Sequence, residues 1–199
     1  MKKIFSLIIT FALCLGLAAC APWAKIRENK VEQDASKLVS FSAPLNWMQL
    51  MQPPANASNW RYTRDGFAMQ ELVISYDTPE VAIRSLSGKH DFQAQLKLEE
   101  DFDSSELADQ FLGQLQKAYA ALNLNIQVLE RGPATIANRD AYRLLLTWKN
   151  AKGLDYQQEI YGTVYKGKLL IIAYSAIRKN FWQRDYPQYQ QLLASVKLR

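Results

Sequence analysis

The chemistry open to this chain is bounded by how few reactive side chains it carries. Cysteine occurs twice, as Cys14 and Cys20, and histidine once, as His90. Cys20 follows directly on Leu17-Ala18-Ala19, where small residues suit a processing site, and its thiol is a nucleophile able to take up a covalent group. Cys14 lies inside the apolar run from Ile4 to Leu17 and only fills apolar space there. His90 has no second histidine or accessory cysteine to share a metal or build a nucleophilic pair, and it reads as a solvent-exposed loop residue. Glu99-Glu100-Asp101 with Asp103 is acidic enough to attract a hard cation but lacks the glycine and spacing of a calcium loop. A solvated approach to a helix N-terminus, where negative charge is favoured, accounts for it without a metal. Gly-x-Ser-x-Gly, Gly-x-Gly-x-x-Gly and P-loop patterns do not occur, so nothing in the sequence supports a nucleophile elbow or a nucleotide site. No cofactor and no metal are expected.

Lys2 and Lys3 precede the 4–17 run, and a charged start, a short apolar stretch and small residues at a cut site make a secretory signal. The run is shorter than the roughly 18 apolar residues that a membrane-spanning helix needs. Leu17-Ala18-Ala19-Cys20 resembles the bacterial lipobox. That resemblance implies a thioether-linked diacylglycerol on Cys20, cleavage before it and acylation of the new amine. Residue 21 is alanine rather than the aspartate that, in enteric-type bacteria, retains lipoproteins at the inner membrane. The resemblance thus implies the inner leaflet of the outer membrane, facing the periplasm. Residues 1–19 are the expected signal peptide and 20–37 an expected lipidated tether that lets the domain stand off the bilayer. Trp23 in that tether suits the lipid interface, or is a loosely packed linker residue.

Removal of residues 1–19 leaves 180 residues, enough for one domain with a full core. An apolar fraction of 49% is far from the composition of a disordered chain. Loss of Lys2 and Lys3 takes the net charge from +5 to +3, with both signs interspersed, which is ordinary solubility and not a nucleic-acid-binding stripe. With Cys14 removed and Cys20 modified, the mature chain holds no disulfide and no cysteine-rich metal site.

The pattern from residue 38 onward predicts a single domain, 38–199. Val39 and Phe41 alternate with polar residues before Pro44, as in an edge strand, and Trp47 packs on the core. Residues 52–59 form a loop by composition. Trp60–Thr63 and Phe67–Tyr76 flank Arg64-Asp65-Gly66 as a hairpin. Thr78-Pro79-Glu80 opens a short helix to Leu86. Asp103–Leu122 is a longer helix with Leu107, Phe111, Leu115, Ala118 and Leu122 on one stripe. Strands follow at 126–131, 134–136, 141–149, 154–165 and 168–177, with Gly132-Pro133 as a break after the first. Leu169-Leu170-Ile171-Ile172-Ala173 is too continuous for a one-sided strand and belongs at the centre of the sheet. A helical turn or two over 178–185 and a helix with Pro187 in its first turn complete the chain. The fold class is α+β, an antiparallel β-sheet with helices on both faces.

Arg64-Asp65-Gly66-Phe67, the Ser105-Glu106-Leu107-Ala108 helix start, Ala134-Thr135-Ile136-Ala137-Asn138-Arg139-Asp140-Ala141-Tyr142 and Tyr174-Ser175-Ala176 fall within that order. Together they resemble the α/β/α sandwich shared by the photosystem II extrinsic protein PsbP, a yeast Ran-binding protein and the bacterial lipoprotein DcrB. Asn138 stands where related sequences often carry glycine, and asparagine also tolerates the left-handed conformation. The resemblance implies binding and assembly and brings no catalytic residues to transfer.

Three functions are compatible with these residues. The first is a membrane-tethered, non-catalytic binding or assembly module of the cell envelope, held by Cys20 and meeting an envelope protein. The second is a carrier of a small apolar or lipid ligand, since the strands and end helices are rich in aromatics. Tyr142, Trp148, Tyr161, Trp182 and Tyr186 are the candidate ligand or partner surface. A hydrolase ranks last, for want of a catalytic constellation.

Overall fold

The computed structural model describes residues 23–51, 58–99 and 103–199. The expected signal peptide, Cys20, residues 52–57 of the expected loop, Glu100 and Asp101 lie outside the described residues. Strands are β1 (Trp23–Lys25), β2 (Val31–Gln33), β3 (Val39–Ser42), β4 (Met48–Leu50), β5 (Asn59–Thr63) and β6 (Gln70–Asp77), then β7 (Gln127–Ile136), β8 (Arg139–Lys149), β9 (Asp155–Tyr165), β10 (Lys168–Ile177) and β11 (Lys197–Leu198). Helices are α1 (Pro79–Ser87), α2 (Ser104–Ala120) and α3 (Gln183–Ser195).

The apolar run of β10 is buried throughout, because this strand has neighbours on both edges and cover on both faces. Around it the main sheet has the order β1-β4-β5-β6-β10-β9-β8-β7, and every pairing is antiparallel. Side chains alternate across it into two cores. On one face Leu144, Leu146, Ile160, Ile171 and Ala173 meet Ile83 and Leu86 of α1 and Phe111 and Leu115 of α2. On the other, Leu72, Ile74, Leu170, Ile172 and Tyr174 meet Tyr189 and Leu192 of α3. Val39 and Phe41 also pack there, from a second sheet of order β11-β3-β2. Helices therefore cover both faces of an antiparallel sheet, as the sequence predicts.

Local chemistry sets the boundaries. Thr78 caps α1, Pro79 stands in its first turn and Gly88 ends it at φ 70°. Asp103 caps α2 by accepting from the Ser105 N–H at 3.0 Å, and Leu107, Phe111, Leu115 and Ala118 are buried in its stripe. Ala137 and Asn138, at φ 49° and 64°, make the tight turn between β7 and β8.

Four expectations are corrected. The tether expected over 20–37 is folded from Trp23 onward: β1 pairs with β4, β2 pairs with β3, and Ile26, Glu32 and Asp34 are buried. The folded domain thus begins well before residue 38. Gly132-Pro133 does not break a strand, since β7 runs through it on the sheet edge, where the N–H that proline lacks is not needed. The second hairpin strand starts at Gln70, because Phe67–Met69 belong to the turn, closed by Met69 N–H donating to Gly66 O at 2.8 Å. At the C-terminal end, α3 is one helix that contains Pro187, reached through a turn over Arg178–Trp182 in which Asn180 has φ 74°.

Candidate functional site

The five aromatic residues picked out in the sequence do not share a surface. Strand alternation sends Tyr142 and Trp148 of β8 to the α1–α2 face. There Tyr142 packs on Phe111 at 5.7 Å, and Trp148 stacks on Tyr156 and meets Tyr119, both at 5.4 Å. Tyr161, Trp182 and Tyr186 come together on the opposite face, around Tyr174 and Tyr189. Tyr174 stacks on Trp182 at 4.9 Å and on Tyr189 at 5.4 Å, so these rings fill the space between sheet and α3. Their role is cohesion of the core.

Two carboxylates fully removed from solvent lie beside this cluster. Glu159 of β9 accepts from Arg143 Nε at 2.6 Å, from Tyr186 Oη at 3.0 Å and from Gln190 Nε2 at 3.4 Å. Burial, reinforced by the Glu159 charge, pushes the Tyr186 hydroxyl up to about 12. Asp185 of α3 accepts from Arg64 Nη1 at 2.9 Å, Gln70 Nε2 at 3.1 Å and Arg184 Nε at 2.9 Å. Asp65 joins the same network through Gln70 at 2.7 Å and through Arg184. Burial opposes ionisation of Asp65, but hydrogen bonds from Arg184 and Gln70 outweigh it and hold the carboxyl below its ordinary value. Each buried acid is neutralised by guanidinium, and the networks pin the 64–69 turn and β8–β9 to α3. An acid in the β9 pattern (Gln158-Glu159-Ile160) hints at such a network, but Arg64 is too distant in sequence from Asp185 for spacing to join them.

The candidate site lies elsewhere, in a feature that sequence reasoning missed. α1 covers β6 and β10 and reaches the start of β5, where Ser85 meets Asn59, and α2 covers β7, β8 and β9, which leaves β1, β4 and the rest of β5 open at this corner. The open corner is a groove of about 540 Å³. Trp23, Leu50 and Phe67 form its apolar side, and Leu86, Gly88 and His90 at the end of α1 form the opposite wall. Trp23 and Phe67 stack at 6.5 Å with their planes 12° apart, and Phe67 remains 65% exposed. The floor carries Arg61 and Glu71, paired at 2.7 Å through both Nε and Nη2. Burial raises the Glu71 carboxyl, with Arg61 opposing. His90 is exposed, as expected, and stands on this rim. The groove offers an apolar wall to a ligand, while its one acid is already committed to Arg61. It escaped the sequence because four separate segments build it, one of them read as tether. Among the described residues there is no group of three or more His, Cys, Asp or Glu placed to hold a metal.

The architecture is that of the PsbP-like α/β/α sandwich. Cyanobacterial PsbP (CyanoP) from Synechocystis sp. PCC 6803 is similar to it with a TM-score of 0.58 and 12% identity, over 91% of this chain and 98% of that one. The Saccharomyces cerevisiae Ran-binding protein Mog1p is similar with a TM-score of 0.51 and 8% identity, over 86% of this chain and 96% of its own. At these identities the likeness is one of fold alone. No protein-family model matches the sequence, and no curated protein matches it.

Proposed function

We propose that this chain is a lipid-anchored, non-catalytic binding or assembly module of the bacterial cell envelope, facing the periplasm from the inner leaflet of the outer membrane. The observation that carries the non-catalytic reading is the state of its buried acids. Glu159 and Asp185 are each held by guanidinium and amide or phenol donors, which suits a role in architecture. The fold is compatible with binding, for the yeast protein that shares it is by name a Ran-binding protein. Anchorage rests on Leu17-Ala18-Ala19-Cys20. Three acyl chains on Cys20 would hold the protein permanently, where a single chain gives only reversible attachment.

Metabolic labelling with a clickable fatty acid tests the anchor. Wild type and Cys14→Ser take up label, whereas Cys20→Ser stays unlabelled and uncut. Label retained on Cys20→Ser, or lost from Cys14→Ser, refutes it. The apolar groove favours a second reading, a carrier of a small apolar or lipid ligand. Native mass spectrometry finding one stoichiometric lipid bound apart from the anchor would select it.

A further inference from the structure

Trp23 stands three residues after Cys20. Three extended residues reach at most about 11 Å, so whatever holds Cys20 holds the Trp23 corner of the domain within that distance. That corner is also where large apolar side chains face solvent. Phe67 is 65% exposed, and Trp23 and Leu50 are half-buried beside it. Trp23 and Leu50 are direct partners in the β1–β4 ladder and so point to the same side, with Lys25 on the same side of β1. An indole at the head of an apolar patch, with a lysine two residues on, is the arrangement favoured at a bilayer surface, where the ring lies at headgroup level and the ammonium meets phosphate.

We infer that the Trp23–Phe67 corner, with Leu50, is a membrane-contact face. The domain sits directly on the phospholipid surface that holds Cys20, with Trp23 and Phe67 at the headgroup–acyl boundary. The occupant is the bilayer rather than a partner protein, because the attachment point is too close to let the face turn away from it. This rests on the Cys20 anchor proposed above. Seating fixes orientation: β1 and the 64–69 turn face the lipid, and β7, the opposite edge of the eight-stranded sheet, stands farthest from the β1 edge.

The test makes the attachment chemically, so that it does not depend on the cell's own lipidation. Protein 20–199 contains every described residue and has Cys20 as its sole thiol. It is coupled to phosphatidylcholine vesicles bearing a maleimide-headgroup lipid and doped with phosphatidylcholine brominated either near the headgroup end or near the terminal methyl of its acyl chains. The other tryptophans, Trp47, Trp60, Trp148 and Trp182, are buried, so bilayer quenching reports Trp23. Shallow bromines quench part of the emission more strongly than deep ones, Trp23→Phe abolishes that fraction, and Phe67→Glu reduces it without changing far-UV circular dichroism. Absence of shallow quenching, or quenching that survives Trp23→Phe, overturns the proposal. So does protection of Trp23 by self-association of uncoupled protein, which assigns the face to a second copy. Quenching by a brominated chain on Cys20 without vesicles also overturns it, assigning the groove to the chain's own acyl group. Failed fatty-acid labelling in cells sinks the anchor alone, and failed quenching here sinks the face alone.

Discussion

Gly162 lies directly opposite Tyr142 in the β8–β9 ladder, and the tyrosine ring covers the place where a Cβ on residue 162 would stand. A side chain there would overlap ring carbons and the hydroxyl. The ring has little room to retreat, since Tyr142 is 1% exposed and Phe111 packs against it. Gly162→Ala is therefore expected to destabilise by about 1–3 kcal/mol, the usual range for overpacking a core. Urea unfolding reads this as a lower midpoint with an unchanged slope. In a Tyr142→Leu background the alanine has space, and its cost falls. Additive costs in the double-mutant cycle would show that the two positions do not touch.

The Arg143–Glu159 pair gives a larger effect. Glu159 is fully buried, and Arg143 is its only cationic hydrogen-bond partner among the described residues, the others being Tyr186 and Gln190. Arg143→Met leaves a buried charge without a counter-ion, a change that costs about 3–5 kcal/mol. Arg143→Met combined with Glu159→Gln recovers much of the loss at neutral pH. A double mutant no more stable than Arg143→Met alone would assign the effect to packing of the arginine stem instead.

The sheet was legible where a strand announces itself in its own residues. β10 is apolar on both faces, the β8–β9 and β9–β10 turns are short and polar, and α1 and α2 carry capping residues at their starts. What stayed hidden depends on contacts distant in sequence. β1 and β2 have three residues each and lie among polar neighbours, so no periodicity marks them, and their stability comes from pairing with β4 and β3. Asp185 meets Arg64 across 121 residues. The groove joins Trp23, Leu50, Phe67 and His90, which no spacing rule connects. The aromatic surplus was legible as composition, but residue type does not distinguish a ring that fills a core, such as Trp182, from one left at the surface, such as Phe67.

Asp34 is the residue that decides whether the segment after Trp23 is architecture or tether. Its carboxylate closes the turn between β2 and β3, accepting from Val39 N–H at 2.6 Å, from Ser36 N–H at 2.9 Å and from the Ser36 hydroxyl. Burial raises its pKa, and the hydrogen bonds from Ser36, Val39 and Leu38 outweigh burial, so the net position is below the ordinary 3.8. A carboxyl whose folded pKa is depressed binds fewer protons folded than unfolded. Its contribution is thus complete above the unfolded value and disappears as pH falls through the folded one. Asp34→Asn keeps the shape and removes the charge, and is expected to cost about 1–2 kcal/mol at neutral pH through weakened charge-assisted hydrogen bonds. As pH falls through the depressed folded value the wild type loses the same contribution, so urea midpoints of the two proteins, apart at pH 7, converge in acid. Comparison at each pH cancels the other acids, including Asp65. A loose tether would place Asp34 in water, where the substitution is silent at every pH, so equal midpoints at pH 7 would remove residues 23–37 from the fold.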